Sequence, residues 1–393
     1  MDVSEIVDRE SFEAWLEEQP EHLRDLYTRM TGVRTALRYF PYWVNAIAQI
    51  TPSDGKAVTL PLTRRLLIAM VMGEPVDYKQ FKDALNWTSQ RTFDAFCAFE
   101  FTDTGAFCVG AMVSYLRADG GIASYFGDTF EHVRTDVDHL LGLSNLKDIY
   151  EHPVWRSQGP SENLKQAWET GRIWLETAPG YTFWLRWYEA ILAGRPLTHD
   201  WDSHWQLMHD IALIPNEDWG EGTERDAIRV AKIIDLITQK HALQREVARA
   251  KQALENEVYN VMTLGRHRDN LPDDMPPSRI LQYRAALAEL QTELDAVELA
   301  LQPPVPDAEA LEEATGRLRA ICEKIKKYPV AFAFVTLIGA AATGAAGQAG
   351  VRGMDWFFDQ GMPQLIRGLK DVAPKPSAGP KPQQGWEKPS VDL

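Results

Sequence analysis

Hydrophobic positions recur every three or four residues along most of this chain, which is the spacing of one face of an α-helix. Clusters of helix breakers separate these stretches, as at 51–55 and 119–121. Leu60 and Pro61 favour the opening of a helix that Gly73 closes. Alternating β-branched runs bounded by tight turns, which indicate strands, are scarce. The pattern predicts an all-α protein with a multi-helix N-terminal domain over residues 1–150.

The cleanest helical pattern lies in the C-terminal half. A capping signal at Thr223 opens a long helix that we expect to end near Leu264. Three prolines within 265–277 must then turn the chain. A second helix follows, and its apolar residues alternate three and four apart without a miss, as in a coiled-coil seam. These seam residues are Ile280, Tyr283, Leu287, Leu290, Leu294, Val297 and Leu301.

A third helix is predicted after the proline corner at 303–306, with Asp307 as its cap. Its apolar stripe consists of Leu311, Leu318, Cys322 and Ile325. The two long helices are of similar length and close naturally as an antiparallel hairpin. The pattern of residues 223–328 therefore predicts an antiparallel coiled-coil hairpin of two helices, to which the third helix is added. It is either a stalk or a three-helix subdomain of a larger fold.

Residues 329–351 are 23 positions without a charge, and about 20 helical residues cross a bilayer core. Gly339, Thr343 and Gly347 fall four apart, so they share one helix face on which small residues allow close association in a membrane. A basic cluster precedes the segment and could face anionic lipid. This cluster is Arg317, Arg319, Lys324, Lys326 and Lys327.

The Gly- and Ala-rich segment has a second interpretation. Its C-terminal half includes Gln348 and is only weakly apolar, so it could also be a buried helix of a soluble protein. Residues 352–373 predict an amphipathic interfacial segment. Residues 374–393 are rich in Pro, Lys and Gly and predict a disordered tail.

Residues 151–222 contain eight of the 13 tryptophans. Tryptophan at this density is typical either of an aromatic core or of a recognition surface. Prolines punctuate the region into short helices, and Gly194 and Pro196 predict a helix stop after Leu192. A Trp-rich helical region is therefore expected here, with a protein partner as one possible use of its aromatic side chains.

Four aromatic elements resemble those of uncharacterised bacterial Trp-rich proteins. The first is Phe183 to Pro196, which contains the W-x-x-W-Y pattern at Trp184, Trp187 and Tyr188. The other three are 213–219, 12–16 and 36–41. They are aromatic packing patterns, and no activity is assigned to that group. The resemblance therefore implies a helical body and no catalytic residue.

Composition narrows the possible partners. The net charge of −15 argues against a nucleic-acid binder, since phosphate contacts require clustered Lys and Arg. The three cysteines form no CxxC pair, which fits a reducing compartment. The polar start, Met1 to Glu10, predicts no secretory signal. More basic residues precede 329–351 than follow it, which favours a cytoplasmic N-terminal side.

Candidate catalytic chemistry is sparse. Phosphate loops, HExxH and GxSxG motifs are absent from the sequence. His132, Asp136 and His139 fall on one helical face and could hold a divalent metal, although a solvated face with local Asp–His pairing is the commoner explanation of such a pattern. The polar run from His199 to Asp210 could converge on a ligand only in a loop, because successive histidines lie about 140° apart on a helix.

Three functional hypotheses remain open. The first is a membrane-associated, non-enzymatic interaction or assembly protein at the cytoplasmic face of the inner membrane, which self-associates through Gly339, Thr343 and Gly347 and needs no cofactor. The second is a soluble cytoplasmic scaffold in which 329–351 is buried. The third is a metal-dependent enzyme that uses His132, Asp136 and His139.

Overall fold

The structure is a computed structural model. It describes residues 1–49, 56–71, 83–84, 129–155, 159–264, 277–303, 305–325, 360, 363–364 and 366–367. Within these ranges the regular elements are helices and no strand occurs, which confirms the all-α prediction. The α-helices are α1 Arg9–Glu17, α2 Glu21–Gln49, α3 Lys56–Val71, α4 Thr129–Leu141, α5 Glu162–Thr177, α6 Thr182–Leu192, α7 Trp201–Ala212, α8 Asn216–Trp219, α9 Glu224–Leu264, α10 Pro277–Ala300 and α11 Ala308–Ile325.

The chain divides into two compact units. The first comprises Met1–Ala248 together with Leu301–Val305, and the second comprises Arg249–Ala300 together with Pro306–Leu393. Helix α9 is continuous, so its N-terminal part belongs to the first unit and its C-terminal part to the second.

Helix α2 is the scaffold of the first unit, where it packs against α1, α3, α4 and α5. Its contact with α5 is close because Gly171 faces α2. A Cβ atom added at Gly171 would lie 3.0 Å from Cβ of Val44, which is tighter than ordinary packing. A larger residue at this position would push the two helices apart.

Aromatic side chains fill the interior of the first unit. Trp184, Trp187 and Trp219 are fully buried, and Trp184 lies edge-on to Trp187 with ring centroids 5.8 Å apart. Edge-to-face aromatic pairs contribute about 0.5–1.5 kcal/mol beyond the area they bury. Four other tryptophans of the region are only half-buried, namely Trp155, Trp168, Trp174 and Trp201. The interpretation as an aromatic core is therefore correct for only some of the tryptophans.

Three of the four elements that carry the resemblance meet in this aromatic core. Tyr188 of the W-x-x-W-Y pattern packs on Phe40, with ring centroids 4.6 Å apart. Its hydroxyl also donates a 2.8 Å hydrogen bond to the carbonyl of Leu37. Trp184 contacts Trp219 at 6.1 Å. The pattern is therefore a packing element that joins α6 to α2 and α8.

Two predicted helix boundaries are confirmed, and one is shifted. Helix α6 ends at Leu192, and Gly194 has φ +60, where a Cβ atom would clash with Pro153. Helix α9 begins with reciprocal capping hydrogen bonds between Thr223 and Asp226. Helix α3, in contrast, begins at Lys56, so Pro61 lies inside the helix rather than at its start.

The apolar stripes predicted within residues 280–325 are buried except at Cys322, which is half-buried. All seven seam residues from Ile280 to Leu301 are at most 8% exposed, and Leu311, Leu318 and Ile325 of α11 are also buried. Asp307 caps α11 by accepting hydrogen bonds from the backbone N–H groups of Glu309 and Ala310. Helical periodicity alone was therefore sufficient to identify these faces.

The segment that dominates the functional hypotheses, 329–351, lies outside the described residues, as do 352–359 and 368–393. Among the helices of the described ranges, none is both long and apolar enough to cross a membrane.

Candidate functional site

The most strongly constrained polar site in the first unit joins α2 to α4. Asp136 of α4 is fully buried, and it lies between Arg34 and Arg38 of α2, which are also buried. Arg38 binds the carboxylate in bidentate fashion, with Nη1–Oδ2 at 2.6 Å and Nη2–Oδ1 at 2.7 Å. Arg34 donates from Nε to Oδ1 at 2.9 Å. One carboxylate therefore anchors two guanidinium groups.

The remaining donors of Arg34 hold the chain that follows α4. Its Nη1 group donates to the carbonyls of Ile149 and His152, and its Nη2 group donates to those of Pro153 and Val154. Together with the bond to Asp136, these contacts use all five N–H donors of the guanidinium group. Arg34 therefore fixes the end of the 3-10 helix Leu146–Glu151 against α2.

Burial and charge act in opposite directions on the pKa of Asp136. Desolvation raises the pKa of the carboxyl, but the charges of Arg38 and Arg34 and their hydrogen bonds outweigh it and hold the pKa below its usual value. Desolvation also lowers the pKa of Arg34, against the opposing charge of Asp136. The carboxylate thus stays ionised at neutral pH, as an internal counter-ion.

The structure gives separate surroundings to the three residues that the sequence placed on one metal-binding face. Asp136 has both oxygens occupied by guanidinium groups. The His132 ring packs edge-on to Trp155 at 5.1 Å, and the His139 ring packs edge-on to His152 at 4.5 Å. In the part of the chain that the structure describes, no group of three His, Cys, Asp or Glu residues could hold a metal ion.

A second buried ionic cluster joins α7 to α9. Lys240, 1% exposed, donates from Nζ to Oδ2 of Asp210 and, at 3.2 Å, to the carbonyl of Pro303. His241 Nε2 lies 3.1 Å from the same carboxylate oxygen. His209 Nδ1 lies 3.7 Å from Oδ1. Asp210, the last residue of the polar run that begins at His199, is therefore buried.

This cluster also fixes the proline corner. Gln244, one turn after Lys240 on α9, donates from Nε2 to the carbonyl of Leu301 at 2.8 Å. Desolvation raises the pKa of Asp210, but the neighbouring His209, His241 and Lys240 side chains outweigh it and hold the pKa well below its usual value. The carboxylate is therefore a charged structural link rather than a proton donor near neutral pH.

The rest of the polar run from His199 to Asp210 lies mainly on α7. Asp200 is its N-cap and accepts from the backbone N–H of Ser203 at 2.7 Å. The buried His204 accepts a hydrogen bond at Nδ1 from the N–H of Leu197, 3.1 Å away. Because the run is helical, its histidines do not converge.

A fourth buried cation lies beneath the end of α7. Arg64 of α3 donates to Asn216 Oδ1 and to the carbonyl of Ile214, both at 2.7 Å, and its guanidinium lies 4.6 Å from the centroid of Trp219. Burial lowers the pKa of Arg64 to about 9, against the opposing charge of Glu217. The side chain remains cationic at neutral pH and anchors the 213–219 element.

In the second unit the ion pairs of the described residues are partly or fully exposed. Arg317 pairs with Glu293 at 2.9 Å and with Glu313 at 2.6 Å, and Lys324 pairs with Glu289 at 2.8 Å. These two members of the predicted lipid-facing cluster thus have acidic partners within the protein. Arg319 is exposed on α11. The other predicted residues, Lys326, Lys327, Gly339, Thr343 and Gly347, lie outside the described ranges.

A groove of about 460 Å³ lies between α9 and α10 of the second unit. Its lining is mostly apolar and is bordered by three polar side chains. The lining residues are Val258, Leu287, Ala288, Glu255, Arg284 and Gln291. The groove offers no nucleophile with an adjacent base, so its chemistry suits packing rather than catalysis.

Sequence reasoning missed Arg34, Arg38, Arg64 and Lys240. A weak signal was present for the first pair. Arg34 and Arg38 are four residues apart within the apolar part of α2, where Val33 and Leu37 are buried. Two cations on a buried helix face require a carboxylate partner, but their spacing does not identify Asp136.

No protein family, curated protein or solved structure matches the chain.

Proposed function

We propose that this protein is a non-enzymatic interaction or assembly protein that associates with the cytoplasmic face of the inner membrane through residues 329–351. The observation that carries the proposal is the sequence of that segment, which has 23 positions without an ionisable group and begins four residues after the end of α11. A segment of this length suits a membrane span.

The buried charges support a non-enzymatic role for the body. Asp136 and Asp210 are the two most buried carboxylates in the described ranges, and each is ionised and bound by cations of the protein itself. A general acid or base needs a pKa close to the working pH, whereas both of these carboxyl groups have lowered pKa values. They stabilise helix contacts and are unsuited to moving protons.

The same proposal assigns a spacer role to α9, α10 and α11. Lys251 of α9 contacts Asp295 at 2.7 Å and Glu298 at 2.5 Å. These ion pairs and the buried seam support an antiparallel coiled-coil hairpin, because the contacts move backwards along α9 as they move forwards along the following chain: Lys251 meets Asp295, whereas Gln244 meets Leu301. The half-buried tryptophans of the body would bind a protein partner in this scheme.

Membrane association is tested by fractionation of cells that express either the full chain or a chain ending at Tyr328. We expect the full chain in the membrane fraction, resistant to carbonate extraction, and the shortened chain in the supernatant. A full chain that stays in the supernatant after high-speed centrifugation, with 329–351 protected from proteolysis, would favour the soluble scaffold instead. Aggregation of the shortened chain would support that same alternative.

Assembly through the glycine face is tested separately. Small residues at Gly339 and Gly347 would allow two helices to approach closely in the bilayer. We expect the double variant Gly339→Leu, Gly347→Leu to remain in the membrane fraction but to form smaller oligomers in mild detergent. The matched control is Ala341→Leu, Ala349→Leu, which adds the same side chains away from that face. An unchanged oligomer size in the glycine variant would contradict assembly through this face.

A further inference from the structure

Helix α10 carries a second, outward-facing stripe besides its buried seam. The residues of this outer stripe are spaced four, three, four, three and four apart, which keeps them on one helix face. Leu281 and Leu299 at its two ends are 65% and 64% exposed. The members of the outer stripe, all exposed, are Leu281, Ala285, Ala288, Thr292, Asp295 and Leu299.

The outer stripe is self-complementary about its midpoint at position 290. If a second α10 runs antiparallel with this centre, Leu281 of one copy lies opposite Leu299 of the other. In the same register Ala288 lies opposite Thr292, and Ala285 lies opposite Asp295. Each end of the interface thus joins two leucines, and its middle joins small residues that let the helices approach closely. Two-fold interfaces require this kind of self-matching surface.

The charges that border the outer stripe fit the same arrangement. Arg284 and Glu298 flank it on the side of the α9–α10 groove, and the antiparallel register brings Arg284 of one copy near Glu298 of the other. Within one chain Lys251 already binds Asp295 and Glu298, so these carboxylates enter the interface with a cation beside them. Lys324 similarly neutralises Glu289 on the opposite flank, 2.8 Å away. Complementary flanking charges set the orientation of helix pairs.

From this geometry we propose that the outer stripe of α10 is a homodimer interface, in which two copies of the chain pack α10 against α10 in antiparallel orientation. The groove beside Ala288 provides room for side chains of the second copy. The surface of one helix is small compared with standard interfaces, so the dimer dissociates on dilution. It is separate from the glycine face of 329–351.

Sedimentation of the full chain in mild detergent over a range of concentrations tests the interface. Ala288→Arg places two like charges close to the two-fold axis, and we expect the dimer dissociation constant to rise at least about tenfold. The control Ala320→Arg makes the same change on an exposed face of α11 and should leave the constant unchanged. An Ala288→Arg variant that dimerises like the parent, or a parent that stays monomeric at about 100 μM, overturns the proposal.

Disulfide cross-linking tests the register. In a chain whose Cys97, Cys108 and Cys322 are replaced by alanine, Leu281→Cys mixed with Leu299→Cys should form a mixed disulfide dimer, since opposed Cα atoms fall within bonding range. Leu281→Cys alone should not cross-link. Self-linking of Leu281→Cys as fast as the mixture would refute the antiparallel register. The same cysteine pair, placed in chains that also carry Gly339→Leu and Gly347→Leu, should still form the mixed disulfide. The experiment therefore distinguishes a failure of this interface from a failure of the membrane assembly.

Discussion

The first unit of the chain buries some of its ion pairs, whereas the described ion pairs of the second unit are partly or fully exposed. In the first unit Arg34, Arg38 and Asp136 are buried in an aromatic interior. In the second unit an aliphatic seam is buried, and ion pairs such as Arg317–Glu293 lie at the surface. A buried ion pair is costly to break because one unpaired charge remains inside, whereas an exposed pair contributes little. Breaking a buried ion pair of the first unit should therefore lower the free energy of unfolding much more than breaking an exposed ion pair of the second unit.

The largest effect is expected at the buried carboxylate. Asp136→Ala leaves Arg34 and Arg38 buried without their counter-ion, and we expect the free energy of unfolding to fall by about 3–5 kcal/mol. Urea unfolding monitored by tryptophan fluorescence would measure it. The control Asp138→Ala changes an exposed position two residues away and should cost less than about 0.5 kcal/mol. Equal losses in the two variants would contradict a special role for the buried cluster.

A comparable but smaller loss is expected from the seam of the second unit. Leu294 is 2% exposed, and Leu294→Ala removes buried apolar surface and leaves a cavity, which costs about 2–5 kcal/mol. Leu299→Ala, on the exposed side of α10, should barely change unfolding at concentrations at which the chain is monomeric. Circular dichroism melting would separate the two variants. A stable Leu294→Ala protein would mean that burial does not hold this unit together.

The pH dependence distinguishes the second buried cluster from an ordinary surface pair. The pKa of Asp210 is lower in the folded protein than its ordinary value of about 3.9. Its contribution to stability is therefore fully present above that value and is lost as the pH falls from about 5 towards the lower folded pKa. We expect Asp210→Asn to flatten the acid slope of stability, measured by urea unfolding between pH 3 and 6. The exposed Asp202→Asn is the control, and an unchanged slope in Asp210→Asn would contradict the prediction.

The smallest effect is expected for the surface pairs. Arg317→Ala breaks contacts with Glu293 and Glu313, but Arg317 is 45% exposed. Water screens the pair, so we expect a loss of at most about 1 kcal/mol, which should shrink further in 0.5 M salt. A loss as large as that of Asp136→Ala would remove the contrast between the two units.

Features that depend on near neighbours in the chain could be predicted from the sequence. The cap at Thr223, the stop at Gly194 and the buried seam from Ile280 to Leu301 follow from helix periodicity and turn chemistry. These rules act over three to seven residues. The start of α3 was misplaced because Pro61 lies within the helix.

The partners of the polar groups could not be predicted in the same way. Asp136 was proposed as a metal ligand because His132 and His139 share its helix face. In the fold it instead binds Arg34, which lies 102 residues away in the chain. Both interpretations agree with the local spacing. Only the packing of α4 against α2 distinguishes the two interpretations, because it places Arg34 and Arg38 against the carboxylate of Asp136.

The amino-acid order by itself therefore determined that the chain is helical, where several helices begin and end, and which faces are apolar, because each of these depends on short-range backbone geometry and on the spacing of side chains. The tertiary structure alone decided which charges are internal and which tryptophans form the core. A charge becomes structural only when a distant segment excludes water from it and supplies its counter-ion.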